Sequence, residues 1–140
     1  MADTISDDQL VWRVDIARLR QIACPLETPP WEGGETLRPE MVASALARND
    51  LLSVPARGPA CVRDHARRIA HLVRFGWHDP ISIDVGVPWL PGWRPVWPIE
   101  DGNHRLYAAI LRQDDTIAAG IGGCLSTARE LLGTPLEQLK

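Results

Sequence analysis

Residues 100–105 read Glu-Asp-Gly-Asn-His-Arg, so two carboxylates, a glycine, an amide, an imidazole and a guanidinium follow one another directly. Leu106, Tyr107, Ala108 and Ala109 come next, which places His104 and Arg105 in the first turn of a helix. A helix N-terminus offers unpaired N–H groups and a partial positive charge. A guanidinium and an imidazole added there describe an anion site, and phosphate is the commonest biological anion. Gly102 would let the backbone approach the anion closely. Arg105 could fork two phosphate oxygens, His104 could supply one more donor, and Asn103 lies in the same turn. Each residue also has a plainer reading. Arg105 could form a structural salt bridge, and His104 could bond a carbonyl inside a core. Asp101 could bond its own backbone at an Asp-Gly turn. Glu100, next to Ile99, could simply face water. Position alone leaves the phosphate and plain readings of His104 and Arg105 level.

The flanking pattern shows what must hold this turn. Ile81, Ile83, Val85 and Val87 alternate with polar or small residues, which predicts a half-buried strand over 81–87. A loop over 88–92 leads to a second strand over 94–99, whose ladder bonding Pro95 and Pro98 restrict. After the turn, a helix is expected over 104–112 with Leu106, Ala109 and Ile110 facing the core. Thr116 begins a third strand to 121. A final helix is expected from a Ser126 cap to Leu132, ended by Gly133.

Upstream, Val62, Ala66, Ile69, Leu72 and Val73 recur at helical spacing, so the clearest helix runs from about 59 or 61 to Phe75 and stops at Gly76. Pro39 suits the first turn of a helix to about Arg48. Residues 24–35 form a Pro- and Gly-rich loop, and Pro55, Gly58 and Pro59 mark another. The period over 11–22 is ambiguous, because 11–16 alternates as a strand while Ile16, Leu19 and Ile22 suit a short helix. Residues 1–8 are expected to be loose and 9–140 to form a single domain. The element order predicts an α+β fold with a small mixed sheet and packed helices.

The chain has 140 residues and a formal charge of −3, which gives no global electrostatic reason to bind nucleic acid or an acidic membrane. No apolar run reaches the roughly 20 residues of a spanning helix. The acidic start does not resemble a signal peptide. Cys24, Cys61 and Cys124 are odd in number and widely spaced, as expected of small semi-buried hydrophobes in a reducing, cytoplasmic compartment, with no zinc-type spacing.

Two further features invite a sharper reading. Arg63, Arg67, His71 and Arg74 form a basic ridge on the clearest helix, which could touch a DNA backbone but is more simply a solvated face. Asp64, four residues before Arg68, is expected to pair with it. Trp77, Trp89, Trp93 and Trp97 cluster before the turn. Packing is the favoured reading, with a stacking wall for a nucleobase as the alternative.

The run Gly76-Trp77-His78-Asp79-Pro80-Ile81, a strand, and then Asp101-Gly102-Asn103-His104-Arg105-Leu106-Tyr107-Ala108-Ala109 resembles the ParB/sulfiredoxin-like superfamily. The similarity covers about 60–122, while the first 55 residues match only vaguely. The resemblance implies a nucleotide-phosphate site at Gly102, Asn103, His104 and Arg105, lined also by Gly76, His78 and Pro80. It favours phosphate over the plain readings. The nucleotide would be CTP, ATP or ADP, and Mg²⁺ could accompany it. Sulfiredoxin has a cysteine in this turn where this chain has Asn103, and an amide cannot act as a thiolate nucleophile. Partition proteins continue into DNA-reading and dimerisation parts, for which about thirty residues after the motif leave no room. A free-serine kinase of the superfamily has an Asp-Gly-His turn, and by that analogy Asp101 would be a general base or Mg²⁺ anchor, with Glu100 as second choice. The implied function is nucleotide or phosphate binding, with hydrolysis or phosphoryl transfer as its catalytic form. The alternatives are a non-catalytic nucleotide-sensing or protein-interaction module and a DNA-binding or nuclease domain. A bacterial, phage or plasmid setting suits a stand-alone domain of this type. The oligomeric state is open.

Overall fold

The computed structural model describes residues 4–5, 10–31, 35–56, 58–87, 97–133 and 136–139. Along the chain run β1 (Thr4–Ile5), β2 (Val11–Asp15), α1 (Ile16–Leu19), α2 (Pro39–Ala47), α3 (Val62–Phe75), β3 (Ile81–Asp84), β4 (Ile99–Asp101), α4 (Asn103–Leu111), β5 (Thr116–Cys124), α5 (Leu125–Leu132) and β6 (Glu137–Leu139). These form an α+β fold with a small mixed sheet. The chain divides into two compact units: a sheet unit of Met1–Ala23, Asp79–Gly102 and Asp114–Lys140, and a helical unit of Cys24–His78 and Asn103–Gln113.

In the sheet unit the strand order is β4-β3-β5-β2-β6, with β1 also on β5. Only β3 and β5 run parallel; the other pairs are antiparallel. The alternation predicted from sequence is visible in burial. Ile81 and Ile83 of β3, Trp12 and Val14 of β2, and Ile117, Ala119 and Ile121 of β5 are all buried. The ambiguous start resolves into both candidates: a strand to Asp15, whose carboxylate caps the Ala17 N–H at 3.0 Å, then a single turn burying Ile16 and Leu19. Within the start expected to be loose, Thr4 and Ile5 pair with Cys124 and Gly123.

Several boundaries differ from the sequence expectations, each for a local reason. The strand expected over 81–87 ends at Asp84, because its Oδ1 accepts the Gly86 N–H at 2.9 Å and Gly86 adopts φ +78°. The strand expected over 94–99 is instead β4, beginning after Pro98; residues 94–96 lie outside the described residues. Pro98 lacks an N–H but its carbonyl still accepts from the Asp84 N–H at 2.8 Å, so pairing continues through Ile99 and, past a register shift at Glu100, to Asp101. Asp101 is therefore a strand residue opposite Ser82. The last helix starts two residues early: Cys124 takes the capping position without a side-chain cap bond, and Ser126 lies inside the first turn.

In the helical unit, α3 packs against both α2 and α4. Its stripe of Ala66, Ile69, Ala70 and Leu72 is buried with Val42, Ala45, Leu37, Tyr107 and Ala108. Burying residues the size of Ile69 and Leu72 contributes about 1.5–3 kcal/mol each. Pro39 occupies the first turn of α2 as expected. Gly76 ends α3 at φ +77°, its N–H donating to the Leu72 carbonyl at 2.8 Å. The start of α3 is held by Cys61 and Asp64 as a reciprocal capping box, in which the Asp64 carboxylate accepts the Cys61 N–H at 3.2 Å. Cys61 is thus an exposed cap, while Cys24 and Cys124 are buried.

Candidate functional site

The residues of the predicted phosphate turn divide between the two units. Glu100, Asp101 and Gly102 close a segment of the sheet unit, and Pro80 belongs to the same unit. Gly76, His78, Asn103, His104 and Arg105 belong to the helical unit. Gly102 adopts φ +102°, and a Cβ there would overlap the side chain of Ile81. The fold therefore requires glycine at this position whether or not an anion approaches. Glu100 and Asp101 are both exposed, and Glu100 falls at a register shift between the Ser82–Asp101 and Ile83–Ile99 pairs. Among the described residues, no three His, Cys, Asp or Glu side chains converge as a metal cluster.

In the helical unit, α4 begins at Asn103, one residue earlier than expected, so Asn103, His104 and Arg105 all lie in its first turn. His104 is engaged by a residue that sequence reasoning did not single out. Its Nε2 lies 2.8 Å from Nδ1 of His65 on α3. One of these nitrogens donates and the other accepts, because two N–H groups or two bare lone pairs would repel. Trp31, from the Pro-rich loop, stacks on both imidazoles, with ring centroids 4.6 Å from His65 and 4.7 Å from His104. The two imidazoles are nearly parallel to each other, at 24°. Tyr107, one turn along α4, tilts against the same indole at 6.2 Å.

Burial holds the His65 imidazole below its ordinary pKa of 6.5, partly opposed by the neighbouring Asp64 carboxylate. Arg68, one turn along α3 from His65, is likewise held below its ordinary value, first by burial and then by the positive charge of Arg105. The positive charge of Arg105 therefore reaches Arg68. Arg68 is not the partner of Asp64. It donates to the Leu52 and Ser53 carbonyls at 3.4 and 2.7 Å, while Asp64 pairs with Arg67 at 3.5 Å. The Tyr107 hydroxyl is fully buried with no hydrogen-bond partner among the described residues. Its pKa is pushed up to about 12 by burial, with smaller contributions from Glu40 and Cys24.

The basic ridge is drawn into internal contacts. Arg63 and Arg67 both bind Asp50, at 3.1 and 2.8 Å, and Arg74 bonds the Asn49 side chain and the Leu46 carbonyl. The Asp50 carboxyl is held below its ordinary value by Arg63, with Arg67 assisting against burial. His71 packs against Phe75, with ring centroids 4.8 Å apart. A groove of about 370 Å³ between α2 and α3 is lined by Met41, Ala45, Val62 and Ala66, with Arg63 and Arg67 among its polar residues. Of the tryptophan cluster, Trp77 packs against the helical core and carries the Arg112 guanidinium 4.9 Å above its ring. Trp97 is half-buried, and Trp89 and Trp93 lie outside the described residues.

Trp31, His65 and Arg68 are the functional candidates that the sequence reading missed. Helical spacing was a signal for two of them, since His65 and Arg68 are three residues apart on α3 and so share a face; Trp31 in its loop had none. No helix among the described residues is long and apolar enough to cross a membrane. A scan against protein-family models matches none, and searches of curated proteins and of solved structures likewise return no match.

Proposed function

We propose that this chain binds a phosphate-bearing ligand through the first turn of α4, with Arg105 as the principal contact and Arg68 as its neighbour. The observation that carries the reading is the placing of Asn103, His104 and Arg105 together in the first turn of α4. A guanidinium in that turn can fork two oxygens of a dianion, and the charge of Arg105 also reaches Arg68. The helix N-terminus adds a third favourable contribution of the same sign. A nucleotide is the ligand implied by the ParB/sulfiredoxin-like resemblance, and Trp31 and the imidazoles stacked on it supply a flat wall beside the cationic turn.

The test is a thermal-shift panel of CTP, ATP, ADP and inorganic phosphate, with and without Mg²⁺, on the full chain. At least one nucleotide should raise the melting temperature, and Arg105→Ala should abolish that rise. If none raises it, or Arg105→Ala responds like the parent, the reading is wrong. Product analysis in the same samples separates its two forms. Turnover lost in Asp101→Asn would make the chain a nucleotide hydrolase or phosphotransferase. Binding without turnover would make it a sensing module. Binding to DNA through the α3 ridge has less behind it, since Arg63, Arg67 and Arg74 already have carboxylate, amide and carbonyl partners.

A further inference from the structure

The groove between α2 and α3 has a plain origin in the sequence. Met41, Ser44, Ala45 and Arg48 share one face of α2, Val62 and Ala66 share one face of α3, and all of them line it. Ala45 and Ala66 are buried, and a single methyl group at each position leaves space that a larger side chain would fill. Met41 and Val62 are only half-buried, so apolar surface stays open to water. The groove holds about 370 Å³. That is the space of about a dozen waters at roughly 30 Å³ each, or of a ligand of about ten non-hydrogen atoms. Its two ends differ in charge. Where α2 stops, Arg48, Arg63 and Arg67 line it with Asp50, whose carboxylate holds Arg63 at 3.1 Å and Arg67 at 2.8 Å. Arg48 pairs with none of the described carboxylates. Where α2 starts, Glu35 and Arg38 pair at 3.9 Å and Glu40 adds a second carboxylate. Glu40 and Arg48 stand about 12 Å apart along the helix.

We propose that this groove binds a small monocarboxylate with an unbranched apolar body, of the size of a medium-chain alkanoate. Its carboxylate lies at the Arg48 end, where a guanidinium forks both oxygens, and its chain runs over Ala45 and Ala66 toward the Glu40 end. Covering the alanine floor, Met41 and Val62 removes apolar surface of both partners from water. The excess of arginine over carboxylate at one end fixes the direction of the ligand. Glu40 sets the limit at the other end. A second carboxylate on a ligand of this length would approach it and be repelled, so a dicarboxylate is disfavoured. None of the described residues of α4 lines the groove, so this site stands or falls separately from the phosphate reading.

Calorimetric titration of the full chain at neutral pH with hexanoate, octanoate, octanedioate and octanol tests this. Affinity should rise about three- to fourfold per added methylene from hexanoate to octanoate. Octanoate should bind about fivefold or more tightly than either octanol or octanedioate. Arg48→Gln should bring octanoate down to the level of octanol and leave octanol unchanged. Glu40→Gln should narrow the gap between octanoate and octanedioate by about threefold. Ser44→Trp places a large ring on the wall of the groove at an exposed position and should block every ligand, with an unchanged circular dichroism spectrum showing that the fold persists. Amide chemical shifts supply a measurement that needs no variant, and octanoate should move those of Ala45 and Ala66 most. Equal affinity for octanoate and octanol, or Arg48→Gln binding octanoate like the parent, would overturn the carboxylate anchor. Equal affinity for octanoate and octanedioate would overturn the limit set by Glu40. No saturable binding of octanoate, or shift changes centred away from α2 and α3, would overturn the site itself.

Discussion

His65 Nδ1 and His104 Nε2 meet at 2.8 Å, joining the start of one helix to the first turn of another. Because Trp31 stacks on both rings, a loop residue is tied to the same contact. Since His65 is held below pKa 6.5 by burial, its neutral form is the one the fold favours. In the unfolded chain it titrates near 6.5. The resulting stability is present above that value and is lost as the pH falls through it toward the lower folded value. His71 is shifted in the same direction, by burial and then by Arg68, and acts in the same window. The urea midpoint should therefore decline between about pH 7.5 and pH 5.5. His65→Phe combined with His71→Phe should flatten that decline.

Asp50 behaves in the opposite sense. Its carboxyl is held low by Arg63 and Arg67, so the stability it contributes is present above its ordinary pKa and disappears as the pH falls below that value. Asp50→Asn should lower the melting temperature at neutral pH, and the gap from the parent should close as the pH approaches about 3. Denaturation curves at the two pH values check this. A gap that persists in acid would mean that Asp50 acts through its shape and not its charge.

Gly102 and Gly76 both have positive φ but different surroundings. A Cβ on Gly102 would collide with Ile81, while a Cβ on Gly76 would meet only Arg112 Nη1, at 3.6 Å. Gly76→Ala should cost about 1 kcal/mol from backbone strain alone. Gly102→Ala should cost more, roughly 2–4 kcal/mol, because overpacking adds to the strain. Urea unfolding of the two variants side by side would measure the difference, and equal costs would contradict the tight approach of Gly102 to Ile81.

The Tyr107 hydroxyl is buried and makes no hydrogen bond among the described residues. Removing it should relieve a desolvation penalty and lose no bond. Tyr107→Phe should be neutral or stabilising by up to about 1 kcal/mol. Because this is the chain's only tyrosine, ultraviolet absorbance of the tyrosinate reports its ionisation directly. The midpoint should lie near 12, well above the ordinary 10, and the fold should weaken as the pH rises through that range. A midpoint at the ordinary value would show that the hydroxyl reaches water.

Much of the fold was legible along the chain because it depends on local periodicity. The α3 stripe from Val62 to Val73, the proline at the start of α2, the stop at Gly76 and the alternation in β3 are all short-range patterns, and the structure carries each of them. The α+β class followed from their order. Boundaries failed where one side chain bonded the backbone nearby, as Asp84 does to Gly86, or where proline removed a donor, as at Pro98. Such choices depend on which partner is closest, and spacing alone does not report that.

The candidate site divides in the same way. The sequence by itself determined that a glycine, an imidazole and a guanidinium stand at the start of a helix, since that requires only neighbouring residues and helical periodicity. Only the tertiary structure decided what those groups meet. It set Gly102 against Ile81, joined His104 to His65 under Trp31, and brought the charge of Arg105 to bear on Arg68. Trp31, His65 and His104 come from three separate segments of the chain. Their meeting follows from the packing of α3 on α4 and the return of a loop across both, and contacts between segments so far apart leave no periodic trace in a single sequence.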